Sequence, residues 1–437
     1  MKFAIYTLGC KVNQYETQAM EQELLRRGHE LTEFDGPADA YIVNTCTVTA
    51  VSDKKCRNII RRTRKNAPDA VVAVCGCYAQ TDPDAVSALG VDLVSGSAGR
   101  MDFLDQLEAI SREKSAQIVT VDAAMARRDF ERLPAGGAAS RTRAMLKVED
   151  GCVNFCAYCI IPYARGPVRS LPLGEAAEQA ARLAAEGYRE VVLTGIEISS
   201  WGRDLKTGEG LIDLIEAVCA AAPGLRVRLG SLEPRTVTEN FCRRAAALPN
   251  LCPHFHLSLQ SGCDATLARM NRKYDTARYA ESVKLLREYF PNPGITTDLI
   301  AGFPGETEEE FGRTLAFLER CAFTAMHVFP YSRRPGTPAA SMPGQLTREE
   351  KEDRVRRAIA LAREMEETWL KSQVGDTLPV LFEEERDGLW QGHAPNYALV
   401  RARGENLHNC VRSVNITGAE GESPLGTPAF LLGTLAQ

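Results

Sequence analysis

Residues 151–166 read GCVNFCAYCIIPYARG and set Cys152, Cys156 and Cys159 at a C-x3-C-x2-C spacing. Three soft thiolates within eight residues point to a metal group. Structural zinc takes four ligands in a closed tetrahedron, and no fourth Cys or His lies close by in sequence. A cubic iron–sulfur cluster held by three Cys leaves one iron free, as a catalytic cluster needs. The triad follows an apolar run at 145–148, and five more runs come after it, at 191–193, 227–229, 255–259, 295–300 and 326–329, with helix-length stretches between them. Six β-then-α units predict a curved parallel sheet, a partial (β/α)6 barrel with the three Cys just past its first strand.

Tyr158 stands before the last Cys, and this spacing at the mouth of a partial β/α barrel resembles the radical S-adenosylmethionine (SAM) superfamily. The likeness extends through LTGIEISSWG (193–202), LGSLEP (229–234), HLSLQSG (256–262) and DLIAGFPGETEEEF (298–311). It implies that the free iron chelates the amino and carboxylate groups of the cofactor's methionine. One electron from the cluster then cleaves S-adenosyl-L-methionine to a 5′-deoxyadenosyl radical. By the same resemblance the cofactor lies against Thr194, Gly195 and Glu197 after the second strand, and Ser258 and Gln260 on the fourth, with the backbone near Thr194 and Gly195 meeting the methionine amino group.

Upstream, apolar runs at 2–8, 40–45 and 70–74 alternate with helix-like stretches at 14–27 and 53–65, which predicts a small parallel sheet covered by helices. Cys10 (TLGCKVNQYET), Cys46 (VNTCTVT) and Cys77 (CGCYAQ) each end one of its strands. Parallel strands finish on one edge, where ligands gather in open α/β sheets. Buried packing is the usual fate of a free Cys. Cys75 rivals Cys77, because residues two apart on a strand share a facing, but Gly76 precedes Cys77 as Gly9 precedes Cys10 and permits close backbone approach. Cys56 is a further thiol of this region. Cys219, Cys242, Cys252, Cys263, Cys321 and Cys410 show no ligand spacing and are expected to pack.

The segment 123–143, with LPAGG inside it, can neither continue a helix nor pair as a central strand. It divides a domain at 1–135 from one at 140–370, whose last element is a charged helix over 346–372 with Val355, Ile359, Ala362, Met365 and Trp369 as its apolar stripe. Short strand-like runs at 378–382, 397–400 and 409–416 make 371–437 a small β-barrel. GHAPNYALVRA (392–402) resembles the RNA-binding TRAM domain.

Three N-terminal Cys, a radical-type triad and a small terminal barrel together resemble the methylthiotransferases over essentially the whole chain. That resemblance implies two [4Fe-4S] clusters, one on Cys10, Cys46 and Cys77 and one on Cys152, Cys156 and Cys159. It implies S-adenosyl-L-methionine as both methyl donor and radical source, and an external electron donor. TLGCKVNQYET, GCYAQ and HVFPYSRRPGTPA are similar to the branch acting on N6-threonylcarbamoyladenosine at position 37 of tRNA, in the anticodon stem-loop. Two other readings are methylthiolation of a ribosomal-protein side chain and an iron–sulfur RNA-binding protein without turnover.

A chain with 44% apolar and 25% charged residues, 34 Gly and 22 Pro is globular, not disordered or fibrous. Its formal charge of −5 gives no global positive field, so an RNA partner must be held by local patches. Lys54, Lys55, Arg57, Arg61 and Arg62, with Arg64 and Lys65, form one such patch beside Cys46, unless they are only a solvated helix face. Arg127, Arg128, Arg132, Arg141 and Arg143 form a second in the linker. The terminal barrel carries five basic against eight acidic residues, so RNA binding there falls to Arg401, Arg403 and Arg412, with His393, Asn396 and Tyr397 available for stacking or hydrogen bonds. No apolar run approaches the ~20 residues of a membrane span, and the start has no export signal. A cytoplasmic location is expected, with thiols kept reduced.

Overall fold

A computed structural model describes residues 1–113, 116–137, 142–421 and 429–436. The first part of the chain runs β1 (Lys2–Thr7), α1 (Lys11–Arg26), β2 (Glu30–Leu31), β3 (Ala40–Thr45), α2 (Ala50–Asn66), β4 (Val71–Gly76), α3 (Cys77–Thr81), α4 (Pro83–Ser87), β5 (Leu93–Ser95), α5 (Arg100–Glu113) and β6 (Ile118–Thr120). Its strands form one parallel sheet in the order β2-β1-β3-β4-β5-β6. Both β3 and β4 are buried along their whole length, which explains why they read as continuous apolar runs. Phe3, Ile42, Ala73 and Leu93 pack on Met20 and Leu24 of α1 and Phe103 and Leu107 of α5. On the opposite face Val43, Val72, Val74 and Val94 pack on Ile60 of α2. The Thr49 side chain accepts from Ser52 N and starts α2. Because Thr7 pairs with Asn44 and Thr45 with Gly76, β1, β3 and β4 end together at one edge.

The central part contains β7 (Arg143–Lys147), β8 (Glu149–Asp150), α6 (Ile161–Arg165), β9 (Arg169–Ser170), β10 (Glu190–Thr194), β11 (Arg226–Leu229), β12 (Ser231–Leu232), β13 (His254–Leu257), β14 (Gly294–Ala301) and β15 (Ala325–Pro330). All six expected strands are present, and the short β8, β9 and β12 are additions. The wall is made of two parallel sheets, β11-β10-β7 and β12-β13-β14-β15, separated at Gly230 and tied by a bridge from Val227 to Leu251. Ala144, Leu146, Val191, Leu193, Val227 and Leu229 belong to the main apolar core. The alternate residues, Arg143, Met145, Lys147, Glu190, Val192, Thr194, Arg226 and Arg228, therefore face the lumen.

Ser258 and Gln260 were expected on the fourth strand, but β13 stops at Leu257. Tyr274 Oη donates to the carbonyls of Ser258 and Leu259, and Arg272 Nη2 donates to Ser258 O (3.3 Å), so side chains take over the acceptors a strand would use. Gln260 then adopts φ 69° and rejoins the sheet only through a bridge to Leu299. The segment read as a boundary is itself packed: Leu133 and Ala135 are buried in the central core, and Tyr15 Oη donates to Leu133 O at 2.5 Å. Arg141 lies outside the described residues.

The long helix spans Arg348–Ser372, starting two residues later than its sequence pattern because Thr347 and Glu350 form a capping box. The last part is a closed barrel of β16 (Thr377–Arg386), β17 (Leu389–His393), β18 (Leu399–Ala402), β19 (Val411–Glu420) and β20 (Phe430–Leu435), in the order β16-β17-β18-β20-β19. Its core holds Val380, Phe382, Val400, Val414 and Leu431. Among the described residues no helix is long and apolar enough to cross a membrane.

Candidate active site

The common edge of β1, β3 and β4 gathers Cys10, Cys46 and Cys77. A Cβ on Gly9 would lie 3.0 Å from Cys46 Cβ and 3.2 Å from its Sγ, and Gly9 has φ 119°. At φ 102°, Gly76 turns the chain at the end of β4, where a Cβ would meet Thr45 O at 2.5 Å. That turn separates the facing of Cys77 from that of Cys75. Cys75 is fully buried in the apolar layer with Phe3, Met20 and Ile42. The thiol of Cys77 is pushed up to about 12 by burial, with Arg165 opposing and Cys10 and Cys46 adding to the rise. Arg165 Nε donates to Cys77 Sγ at 3.2 Å. Cys56 lies behind the edge, its Sγ donating to Cys46 O at 3.4 Å. Cys219, Cys242, Cys252, Cys263 and Cys321 are buried.

The second triad occupies the loop after β8. Cys152 N donates to Gly166 O (3.0 Å) and Ala157 N to Met270 O (2.9 Å), which fixes the loop at both ends. Burial pushes the thiols of Cys152 and Cys159 up to about 12. Arg272 Nη1 donates to Cys156 Sγ at 3.2 Å and Nε to Tyr274 Oη at 3.0 Å. Thr194 is the buried last residue of β10, and a Cβ on Gly195 would lie 2.7 Å from Glu149 Oε2. Glu197 N donates to that same oxygen at 2.7 Å, while the Glu197 carboxylate accepts from Ser199 N (3.1 Å) and Ser200 Oγ (2.6 Å). The structure thus brings Thr194, Gly195 and Glu197 to one rim beside Cys152, whose thiol feels the charge of Glu197.

Between the triads lies a buried charge network that the sequence pattern does not announce. Glu16 of α1 accepts from Arg165 Nη1, from Arg100 Nη2 (2.8 Å) and from Lys147 Nζ (3.4 Å). Asp150 Oδ2 lies 3.3 Å from Lys147, 3.5 Å from Arg165 and 3.4 Å from Arg169. Burial opposes ionisation of Glu16, but Arg165, Arg100 and Lys147 hold its carboxyl well below the ordinary range. Arg100, Lys147, Arg165 and Arg169 are all buried, against the buried carboxylates Glu16 and Asp150, with half-buried Glu131 near Arg100; Glu149 is buried too, but burial pushes its carboxyl well above the ordinary range. Unbalanced buried cations are costly. A thiolate at Cys77, beside Arg165, would offset them, and Arg272 offers the sulfur of Cys156 a cation outside the network, so this donor set and its surroundings fit an iron–sulfur group at each triad. Among the described residues no three His, Cys, Asp or Glu converge as ligands of a single ion; a cube is larger than an ion and spreads its ligands further apart. A signal was present: Lys147 is a charged residue at the end of an apolar strand, and Arg165 closes the Cys-rich segment itself.

The expected RNA-binding residues divide. Lys54, Lys55 and Arg61 are exposed on α2, as is Lys65, and among the described residues none of the four has an ion pair. Arg57 donates to Tyr78 Oη (3.0 Å), Arg62 pairs with Asp35 (2.9 Å) and Arg64 with Asp92 (2.5 Å). Arg127 and Arg132 pair internally with Asp122 and Glu175. Arg401 is 5% exposed with its guanidinium 4.1 Å from the Phe430 ring centroid, whereas Arg403 is exposed. His393 and Tyr397 stack on each other (4.6 Å) and Tyr397 on His254 (4.5 Å), so both serve the junction between barrel and central domain. Asn396 is buried there and donates to Gln373 Oε1 at 3.1 Å.

Comparison with known proteins places these features. The Radical SAM superfamily model matches residues 146–318, and a model described as uncharacterized protein family UPF0004 matches 2–96. The threonylcarbamoyladenosine tRNA methylthiotransferase MtaB of Bacillus subtilis is 40% identical over 92% of this chain and 90% of its own. The chain belongs to the radical SAM tRNA methylthiotransferases. The MtaB protein of Thermotoga maritima is 37% identical over 87% of this chain and 86% of its own. A tRNA-2-methylthio-N(6)-dimethylallyladenosine synthase of Nitratidesulfovibrio vulgaris is 36% identical over 91% of both chains. In fold, this methylthiotransferase is similar to the radical S-adenosylmethionine methyltransferase TsrM from Kitasatospora setae, with a TM-score of 0.58 and 17% identity over 78% of this chain and 75% of that one. Membership of an enzyme family sets aside the reading of an RNA-binding protein without turnover.

Proposed function

We propose that this tRNA methylthiotransferase converts N6-threonylcarbamoyladenosine at position 37 to its 2-methylthio form, on the anticodon stem-loop, in the cytoplasm and with electrons from an external donor. The observation carrying the reaction type is the pair of Cys triads bordering one buried network, each triad with an arginine on one sulfur at 3.2 Å. Support for the substrate comes from the match to enzymes named for threonylcarbamoyladenosine at 40% and 37% identity.

Cys10, Cys46 and Cys77 would hold one [4Fe-4S] cluster and Cys152, Cys156 and Cys159 the other, with Thr194, Gly195, Glu197, Ser258 and Gln260 around S-adenosyl-L-methionine. When bound, these groups supply radical removal of a hydrogen from the target carbon and a methylated sulfur to replace it. The chain's own part is electrostatic and positional. Arg165 favours the ionised state of Cys77, and Arg272 donates to the Cys156 sulfur at 3.2 Å. Glu16 and Asp150 hold Arg165 in place, so its orientation does not depend on what binds. Gly195, close against Glu149, keeps the rim beside Cys152 free of side-chain bulk. The exposed edge at Cys10 leaves a way in for a nucleobase, while Cys46 and Cys77 stay buried from water. Mass spectrometry of tRNA nucleosides from cells with and without the gene tests the reading. N6-threonylcarbamoyladenosine should accumulate and its 2-methylthio form vanish on deletion; loss of the 2-methylthio dimethylallyl nucleoside instead would overturn it.

A further inference from the structure

A cavity of about 510 Å³ lies where all three parts of the chain meet. Lys11 and Gln14 of α1 form one wall, Met145, Val192 and Arg228 of the lumen another, and Tyr397 closes it from the terminal barrel. Its size suits a small polar ligand. Two features set it beside the reacting groups. Lys11 directly follows Cys10, so its Cα is ~3.8 Å from that of Cys10. Met145 and Val192 lie one layer below Lys147 and Thr194 on the same strand faces. The cavity therefore runs beneath the rim assigned to S-adenosyl-L-methionine and touches the neighbour of an N-terminal triad Cys.

The cavity's arginines are already engaged. Glu190 holds Arg228 (2.7 and 3.0 Å), and Glu383 holds Arg143 (3.0 and 3.1 Å). Lys11 has no ion-pair partner among the described residues. An ammonium in that position gains from an anion. Adenine brings no charge, and a dimethylallyl substituent is apolar. The threonylcarbamoyl substituent brings one carboxylate, together with hydroxyl and N–H donors for which Gln14 and Glu384 offer acceptor oxygens.

We propose that this cavity receives the threonylcarbamoyl group and that the Lys11 ammonium pairs with its carboxylate, which makes Lys11 a specificity-determining residue; this rests on the substrate reading above. The reconstituted holoenzyme is titrated with anticodon stem-loops bearing N6-threonylcarbamoyladenosine, its carboxyl methyl ester, or N6-dimethylallyladenosine at the target position. The unaltered enzyme should bind the acid roughly ten-fold more tightly than the ester, the scale of one charged hydrogen bond. Lys11→Gln should lose that factor for the acid and leave the ester unchanged, and Lys11→Arg should regain most of it, with iron content constant throughout. Equal binding of acid and ester by the unaltered enzyme overturns the proposal without any variant. So does a Lys11→Gln protein that still separates acid from ester. Preference of the unaltered enzyme for the dimethylallyl stem-loop would instead remove the substrate reading itself.

Discussion

At the level of single residues, Arg165 does two jobs with one guanidinium. Nε reaches Cys77 and the Nη atoms reach Glu16 and Asn13, tying the N-terminal sheet edge to the loop that carries the second triad. Glu16 and Arg165 are 149 residues apart, so no local pattern could pair them. The Cys triads could be read because thiol spacing and strand-end position are local properties, and the chain turns at Gly76 (φ 102°), between Cys75 and Cys77. Cys77→Ala should lose one cluster's share of iron and all methylthiolation while cleavage of S-adenosyl-L-methionine persists. Cys75→Ala removes only a sulfur from a packed apolar layer, a cost of about 1–2 kcal/mol. It should leave iron and both activities intact. Iron analysis and product assays on the two variants decide between them, and the reverse pattern would move the ligand to Cys75.

Among the elements, strands buried on both faces announced themselves as apolar runs, and all six central strands lay where those runs are. The failures have physical causes. β17 and β20 went unread because a small barrel exposes one face of each strand and interrupts it with Gly392 and Gly433. β13 ended early because Tyr274 and Arg272 claim its last carbonyls. For α2 the sequence left open whether its charge binds RNA or merely faces water. Folding has sorted that charge: Arg57, Arg62 and Arg64 have partners within the domain, whereas Lys54, Lys55, Arg61 and Lys65 have no ion pair among the described residues. Replacing those four by Gln should weaken tRNA binding and flatten its dependence on log salt by ~0.7–0.9 for each phosphate no longer neutralised. Stability should move by no more than about 0.5 kcal/mol per site, as for exposed side chains elsewhere. Binding isotherms at several salt concentrations supply the slope, and an unchanged slope would identify a solvated face.

Over the whole molecule, a carboxylate of the central domain helps to seat the terminal barrel. Glu190 lies at the start of β10, facing the lumen, and it gathers Arg226 (2.9 and 2.5 Å) and Arg228 (2.7 and 3.0 Å). Those arginines in turn donate to backbone carbonyls of the barrel: Arg226 to His393 (3.1 Å), and Arg228 to Pro395 (2.8 Å) and Ala394 (3.3 Å). Without Glu190 both guanidinium groups would lose their counter-charge and their orientation together. Burial opposes ionisation of Glu190, but Arg228, Arg226 and Arg143 bring its pKa from 4.5 down to about 2. A shift of that size is worth roughly 3 kcal/mol at neutral pH, the range found when one partner of a buried pair is removed. The folded value is the depressed one, so the contribution is complete well above pH 4.5 and is lost as pH falls toward 2. Glu190→Gln should therefore destabilise the protein most at neutral pH, with the gap to the unaltered chain narrowing below pH 4.5. Trp369 and Trp390 pack against the barrel core, so fluorescence-monitored denaturation across pH reads the loss where it occurs. A gap that stays constant into the acid range would mean that Glu190 acts through packing alone, and the barrel would then owe its seat to the Arg143–Glu383 pair and to the stack of Tyr397 between His254 and His393.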